Sequence, residues 1–252
     1  MTETTEDAFL DGRLRIRQPR RGYRAGMDPV LLAASVDARA GARVLELGCG
    51  VGVALLCLAH RVPGLKATGL ELQPELADLA RANAAANALE AHIVDGDVAL
   101  LPPELRAQSF DHVMANPPYF ERAHGSTARD AGRETGRGEG IALSLWVDAA
   151  IRRLAPGGRF WMIQRTARVP DILAACDNRI GDVMLLPLAG RQGRDPETAI
   201  ISAKKGARGA VRLMSPVVLH MGDAHADGDR HSDVARSVLR DGKALGFGAV
   251  PK

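Results

Sequence analysis

The sequence predicts a doubly wound α/β fold built on a mostly parallel sheet, and three observations carry that expectation. Strand-like apolar runs alternate with helix-like segments along most of the chain. The run Val44-Leu45-Glu46-Leu47 breaks into Gly48-Cys49-Gly50-Val51-Gly52 and then enters an apolar stretch, as a strand does when it turns through glycines into a helix. A later run, Phe110 to Ala115, delivers Asn116-Pro117-Pro118-Tyr119 to a strand end.

The elements follow in order. Arg13, Arg15 and Arg17 alternate with Leu14 and Ile16, so a strand there places the arginines on one face and the apolar residues on the other. Asp28-Pro29 reads as an N-cap followed by a proline in the first turn, opening a helix through about Val36. A strand is expected at Arg43 to Leu47, a helix from Val51, a strand at Lys66 to Leu70, a helix opened by Pro74 and rich in Ala and Leu, and a short strand at Ala91 to Val94. Phe110 to Ala115 is the fourth strand and Ile141 to Leu154 a helix. Pro156-Gly157-Gly158 forms a turn feeding the fifth strand, Arg159 to Gln164. A helix at Val169 to Cys176 and strands at Asp182 to Leu188 and Thr198 to Ala203 bring the count to seven strands. The chain divides into a basic segment, 1–27, a main domain, 28–212, and a C-terminal extension, 213–252, for which no structure is predicted.

Composition agrees with a folded enzyme-sized chain. At 252 residues it can bury a substantial core, and 46% apolar content without a run of 18 apolar residues argues for a soluble protein with no membrane partner. Met1 to Leu10 is polar and acidic, unlike a secretory signal, which makes the cytoplasm the default location. Cys49, Cys57 and Cys176 are too few and too scattered for a zinc ribbon or a disulfide framework. Net charge is only +3, but Arg13, Arg15, Arg17, Arg20, Arg21 and Arg24 crowd one short stretch with Asp11 as the nearby acid. A second basic cluster runs over Arg191, Arg194, Lys204, Lys205, Arg208 and Arg212. Such clusters suit a phosphate backbone and point to RNA as a partner; a solvated basic face is the plainer alternative.

In doubly wound sheets ligands bind beyond the carboxyl ends of the strands, near the switch point between the first and fourth. Both special motifs sit at those two ends. Glycines there let the backbone come close to a ligand at a helix N-terminus, and Glu71, closing the next strand, stands where ribose hydroxyls need an acceptor. A nicotinamide dinucleotide shares these requirements. The Asn-Pro-Pro-Tyr segment suits a planar amide or amine. Its prolines stiffen the turn, so the Asn116 carboxamide and the Pro117 carbonyl can accept both hydrogens of an NH2 group while Tyr119 stacks on the ring that carries it.

From Gly22 to Lys205 the chain resembles the class I S-adenosylmethionine-dependent methyltransferases of the small-methyltransferase type. Its pattern is most similar to the bacterial adenine-N6 enzymes that modify valine tRNA next to the anticodon. The resemblance is carried by Gly22-Tyr23-Arg24-Ala25-Gly26-Met27-Asp28, by Glu46 to Gly52, by Glu71, by Asp97 and by Asn116 to Tyr119. It implies a Rossmann-like seven-stranded sheet, S-adenosylmethionine as cofactor and S-adenosylhomocysteine as product. It also implies that Glu46, Gly48, Gly50 and Gly52 hold the methionine part, Glu71 the ribose and Asp97 the adenine amine, with Asp95 the competing candidate. Asn116, Pro117 and Tyr119 become the catalytic set, and Phe120, Arg13, Arg15, Arg17 and Arg24 the substrate contacts. The arginine-rich opening departs from a strict match to the tRNA enzymes.

The chemistry asks for little else. A sulfonium methyl is already activated, so alignment and exclusion of water suffice, with no dedicated base and no metal. The glycine-rich run from Glu121 to Gly140 reads either as a lid over the substrate or as a loose connection. Asp223, His225, Asp227, Asp229 and His231 crowd together without the spacing of a calcium loop or zinc helix, and a solvated loop is the expectation. Ribosomal-RNA guanine-N2 and protein-glutamine methylation share the same grip. A non-catalytic RNA-binding scaffold is the alternative of another kind, and a nicotinamide oxidoreductase a weaker one, since no hydride-transfer partner is in sight.

Overall fold

The computed structural model describes residues 3–119, 142–222 and 230–246. Its first two strands, β1 (Thr4–Phe9) and β2 (Leu14–Pro19), form an antiparallel hairpin of their own, in register from Thr4 opposite Pro19 to Phe9 opposite Leu14. Alternation holds as read from the sequence: Leu14 and Ile16 are buried, while Arg13, Arg15 and Arg17 point outward.

The main sheet begins after α1 (Asp28–Ser35) with β3 (Arg43–Leu47), α2 (Val53–Arg61), β4 (Lys66–Glu71), α3 (Pro74–Ala86), β5 (Ala91–Asp95), the single turn α4 (Pro103–Arg106) and β6 (Phe110–Ala115). It continues with α5 (Leu143–Arg153), β7 (Leu154–Arg165), a 3-10 turn at Thr166–Arg168, α6 (Val169–Ala175), β8 (Ile180–Ala189) and β9 (Thr198–Lys205). It ends with β10 (Arg212–Leu213), β11 (Val217–Val218) and α7 (Asp233–Leu239). Strand order is β10-β8-β9-β7-β6-β3-β4-β5, with β11 also on β8. The central pairs β3–β4, β4–β5, β3–β6 and β6–β7 are parallel, and β9 runs antiparallel to both β7 and β8.

Residue alternation along the strands splits the core in two. Val44, Met114, Trp161 and Ile200 face one layer with α1, α2, α3 and α7, whereas Leu45, Val113, Phe160 and Ile201 face the other with α5 and α6. A sheet covered on both faces accounts for the nearly continuous apolar runs of its strands.

Three expectations change. The sheet has nine strands among the described residues rather than seven, because β10 and β11 add to the edge of β8 in parallel. At two residues each they are too short to leave a periodic trace. Asp28 does not cap α1: Met27 occupies the cap position without a side-chain bond, and Asp28 lies in the first turn, its carboxylate taken by a partner described below. Pro156-Gly157-Gly158 lies inside the bounds of β7 rather than before it, where the β6–β7 register shifts between Phe110 and His112.

Hairpin and sheet are joined by two asparagines one helical turn apart, Asn83 on α3 and Asn87 at its C-terminal cap. Asn83 Oδ1 accepts from the Arg17 N–H at 2.8 Å, and its Nδ2 donates to the Arg17 carbonyl and to the Val51 carbonyl, both at 3.0 Å. Asn87 repeats the pattern on Arg15, accepting at 2.9 Å and donating at 2.8 Å. The two carboxamides act as a substitute strand for the outer edge of β2, satisfying backbone groups that would otherwise be left open.

Candidate active site

The carboxyl ends of β3 and β6 are neighbours, since these strands pair directly, and a cleft opens above them. Glu46, Gly48, Cys49, Gly50 and Val51 line it from the first strand and its loop, and Asn116 from the second. Gln18, Tyr23, Ala25 and Pro29 close the side toward the hairpin. The structure thus brings the two sequence motifs into one cavity, together with Gln18 and Leu76, which the sequence did not single out.

The loop geometry explains its glycines at two positions. Gly48 has φ +65°, and a Cβ there would stand 2.6 Å from the Trp146 ring. Gly50 has φ +54° with open space where a Cβ would project, so a side chain at this position would enter the cleft a ligand needs. Glu71 shapes the same loop: its Oε2 accepts from the Gly50 N–H at 2.8 Å and its Oε1 from the Gln73 N–H at 2.9 Å. Burial pushes the Glu71 carboxyl up, against the pull of those N–H groups.

Glu46 is 2% exposed, and its Oε2 accepts from the Leu55 N–H at 2.9 Å, in the first turn of α2. Burial holds its carboxyl well above the usual range; the Leu55 N–H opposes this and the Glu71 charge adds to it. A buried carboxyl facing a cleft, without a cationic partner among the described residues, fits a ligand that brings a positive charge. The ammonium and sulfonium of S-adenosylmethionine supply that, and the open cradle at Gly50 fits its close approach.

The acids after β5 are separated by geometry. Asp95 is exposed and pairs with Arg81 at 2.7 Å. Asp97 is half-buried and accepts from the Ala99 N–H at 2.8 Å, shaping the turn.

Around Asn116-Pro117-Pro118-Tyr119 the chain supplies four outside supports. The Asn116 Nδ2 donates to the Tyr23 hydroxyl at 3.4 Å. The Tyr119 hydroxyl donates to Asp28 Oδ2 at 2.5 Å, and burial followed by the Asp28 charge raises the Tyr119 phenol far above its ordinary value. Gln164, fully buried on β7, donates from Nε2 to the Pro117 carbonyl at 3.4 Å. The Arg165 guanidinium lies over the Tyr119 ring, 5.8 Å from its centroid. Phe120 and the 121–140 run lie outside the described residues, as do Asp223, His225, Asp227 and Asp229 of the C-terminal cluster.

The arginine-rich opening meets more acid than its local sequence suggests, because β1 lays Glu3, Glu6 and Asp7 across from it. Arg20 pairs with Glu3 at 2.6 Å and Arg15 with Glu6 at 3.1 Å. Arg24, read from the sequence as a substrate contact, is held inside the hairpin by Asp7, by Thr5 Oγ1 and by the Pro19 carbonyl. Arg13 donates to the Arg240 carbonyl at 2.8 Å. The second basic cluster disperses likewise: Lys205 caps the end of α5 through the Ile151 and Leu154 carbonyls, Arg191 is buried, and Arg212 pairs with Asp182. Register across a hairpin and the free carbonyls of a helix end are long-range facts, invisible to a count of nearby charges.

The order of the strands, with a glycine loop after the first and the Asn-Pro-Pro-Tyr turn after the fourth, defines a class I methyltransferase, whose chemistry is methyl transfer from S-adenosylmethionine. The chain belongs to the methyltransferase small domain family, which matches residues 28–180. It is 33% identical over 175 residues to a tRNA1(Val) (adenine(37)-N6)-methyltransferase of Porphyromonas gingivalis, covering 66% of this chain and 68% of that one. It is also 28% identical over 218 residues to the protein of the same name from Aeromonas hydrophila, covering 85% and 90%. A crystal structure described as a predicted O-methyltransferase from Agrobacterium tumefaciens superposes with a TM-score of 0.71 at 26% identity, covering 89% of this chain and all of the other. A T. thermophilus 16S rRNA N2 G1207 methyltransferase in complex with AdoMet and guanosine shares the fold, with a TM-score of 0.57 at 21% identity over 81% of this chain and half of its own. No described helix is long and apolar enough to cross a membrane.

Proposed function

We propose that this enzyme methylates the exocyclic amine of an RNA base, adenine N6 of a tRNA near the anticodon, in the cytoplasm. The observation that carries the proposal is that Asn116 opens into the same cleft as Glu46, Gly48 and Gly50, so an amine held at the Asn-Pro-Pro-Tyr turn meets a donor held at the glycine loop. The names of the relatives in P. gingivalis and A. hydrophila support tRNA and adenine N6 as the substrate and atom.

When bound, S-adenosylmethionine supplies a methyl group already activated on a sulfonium. Glu46 and the loop Gly48, Gly50 and Gly52 hold its methionine end, Glu71 its ribose hydroxyls and Asp97 its adenine amine. The Asn116 Oδ1 and the Pro117 carbonyl accept the two amine hydrogens of the target base. These bonds strengthen as the nitrogen turns from planar to tetrahedral, which places them on the transition state rather than the ground state. Tyr119 offers a ring face to the base once it has left its stack. Arg15 and Arg17, outward on β2 and spaced about 7 Å apart along it, meet the phosphates beside that base together with Arg13 just before the strand, with Arg17 the one of the three whose side chain has no partner among the described residues.

Transfer of labelled methyl from S-adenosylmethionine to total tRNA, ribosomal RNA and protein from a cell lacking this gene tests the proposal, followed by nucleoside analysis of the labelled fraction. N6-methyladenosine in tRNA is the expected product. Label in ribosomal guanine or in protein glutamine replaces the substrate, and no label in any fraction overturns the reading.

A further inference from the structure

Gripping an NH2 group requires the Asn116 carboxamide to face it oxygen first. A carboxamide carries an acceptor on one side and a two-hydrogen donor on the other, so the reversed orientation would oppose donor to donor and lose the grip. With Oδ1 committed to the substrate, Nδ2 is left to donate elsewhere, and an acceptor fixed beside it selects the oxygen-first orientation.

From the geometry we infer that Tyr23 is a positioning residue for the methyl-transfer reaction: its hydroxyl oxygen receives the Asn116 Nδ2 and keeps the carboxamide oxygen turned toward the target amine. This inference rests on the reading of Asn116 as the amine acceptor. Tyr23 is 56% exposed as a residue, yet it lines the cleft beside Glu46 and Asn116, with its hydroxyl 3.4 Å from Nδ2.

The segment that carries Tyr23 is pinned on both sides, which turns a single contact into a fixed one. Before it, Gln18, 2% exposed, binds Ala25 in both senses: Oε1 accepts from the Ala25 N–H at 2.9 Å and Nε2 donates to the Ala25 carbonyl at 3.4 Å. The same Nε2 donates to Asp7 at 2.7 Å, and Asp7 also pairs with Arg24. After it, Asp28 receives the Tyr119 hydroxyl. Tyr23 and Asp28 therefore meet the first and last residues of the Asn-Pro-Pro-Tyr turn from one six-residue stretch, and they space the amine acceptor against the stacking ring.

The chemistry of the phenol suits the role. Burial, then the carboxylates of Asp28 and Glu46, push its pKa up to about 12, so it stays neutral. A neutral phenol oxygen keeps its lone pairs, one of which receives Nδ2.

Tyr23→Phe keeps the ring and removes only the acceptor. In steady-state methyl transfer to whichever acceptor the labelling experiment identifies, kcat is expected to fall about tenfold or more, with KM for RNA and the Kd for S-adenosylmethionine within about twofold of wild type. In single-turnover assays, Tyr23→Phe placed on Asn116→Ser should cost less than it does alone, because the two side chains act as one unit. Wild-type kcat in Tyr23→Phe overturns the inference, as does a loss that multiplies fully with that of Asn116→Ser, or one confined to cofactor affinity. A full loss in Asn116→Ala beside a silent Tyr23→Phe would leave the proposed function standing and remove this inference alone. An active Asn116→Ala would remove the proposed function itself.

Discussion

Tyr119 donates its hydroxyl hydrogen to Asp28 Oδ2 at 2.5 Å, across 91 residues of chain, and so ties the end of the substrate turn to the first turn of α1. The bond explains why Asp28 does not serve as a helix cap: its carboxylate gains a charge-assisted partner, which is worth more than a backbone N–H at an exposed helix end. It also fixes which way the Tyr119 ring faces. Asp28→Ala should release the ring and lower kcat/KM for RNA about ten- to a hundredfold, the cost of a misplaced reacting partner. Cofactor affinity should change little. Equal kcat/KM in variant and wild type would show that the ring is held by packing alone.

Asn116→Ala should reduce methyl transfer by about a hundredfold or more, the scale on which a transition-state hydrogen-bond partner is lost. Titration with S-adenosylmethionine should give nearly wild-type affinity, since in the proposed function the carboxamide meets the amine and not the donor.

Glu46 makes cofactor affinity pH-dependent. Its carboxyl is held above the usual range by burial, and a cationic ligand favours the charged form, so binding lowers its pKa and releases a proton. Affinity should therefore rise with pH through the window between the lowered and the raised value, by at most about tenfold per pH unit for one proton. Calorimetry in buffers of different ionisation enthalpy reads that proton directly. In Glu46→Gln the release should vanish and affinity should fall; a release that persists would assign the proton to another group.

Asn83 is 1% exposed and serves three backbone groups. Asn83→Ala should destabilise the chain by about 2–3 kcal/mol, because partners are stranded rather than exchanged. In thermal unfolding this reads as a drop of roughly 4–12 °C for a chain of this size. Asn87, on the exposed side, should cost about 1 kcal/mol or less on the same change. Asn83 also reaches Val51 in the glycine loop, so its loss should weaken S-adenosylmethionine binding, whereas that of Asn87 should not.

Much of the architecture is written locally. The apolar strands, Pro29 and Pro74 in their helices' first turns, and the two strand-end motifs at Gly48 and Asn116 each announce themselves within a window of about ten residues. Parallel strands buried on both faces give long apolar runs, and glycine and proline restrict backbone angles wherever they stand. The placement of Glu46, Gly50 and Asn116 in one cleft follows from that order of elements, because adjacent carboxyl ends at a switch point leave room between their loops.

Other features had no local signal. β10 and β11 exist only because β8 offers an open edge to pair with. Arg15, Arg20 and Arg24 read as a basic patch until the hairpin register lays Glu6, Glu3 and Asp7 against them. Tyr23, Asp28 and Gln164 lie 93, 91 and 47 residues from their partners in the Asn-Pro-Pro-Tyr turn. By itself, then, the sequence determined the layered sheet, the glycine loop and the Asn-Pro-Pro-Tyr turn, since each depends on backbone preferences and periodicity within a short stretch. Only the tertiary structure decided which charges are neutralised and which side chains hold the turn in place, because hydrogen bonds of about 3 Å between distant segments exist only once the strands have paired and the core has closed.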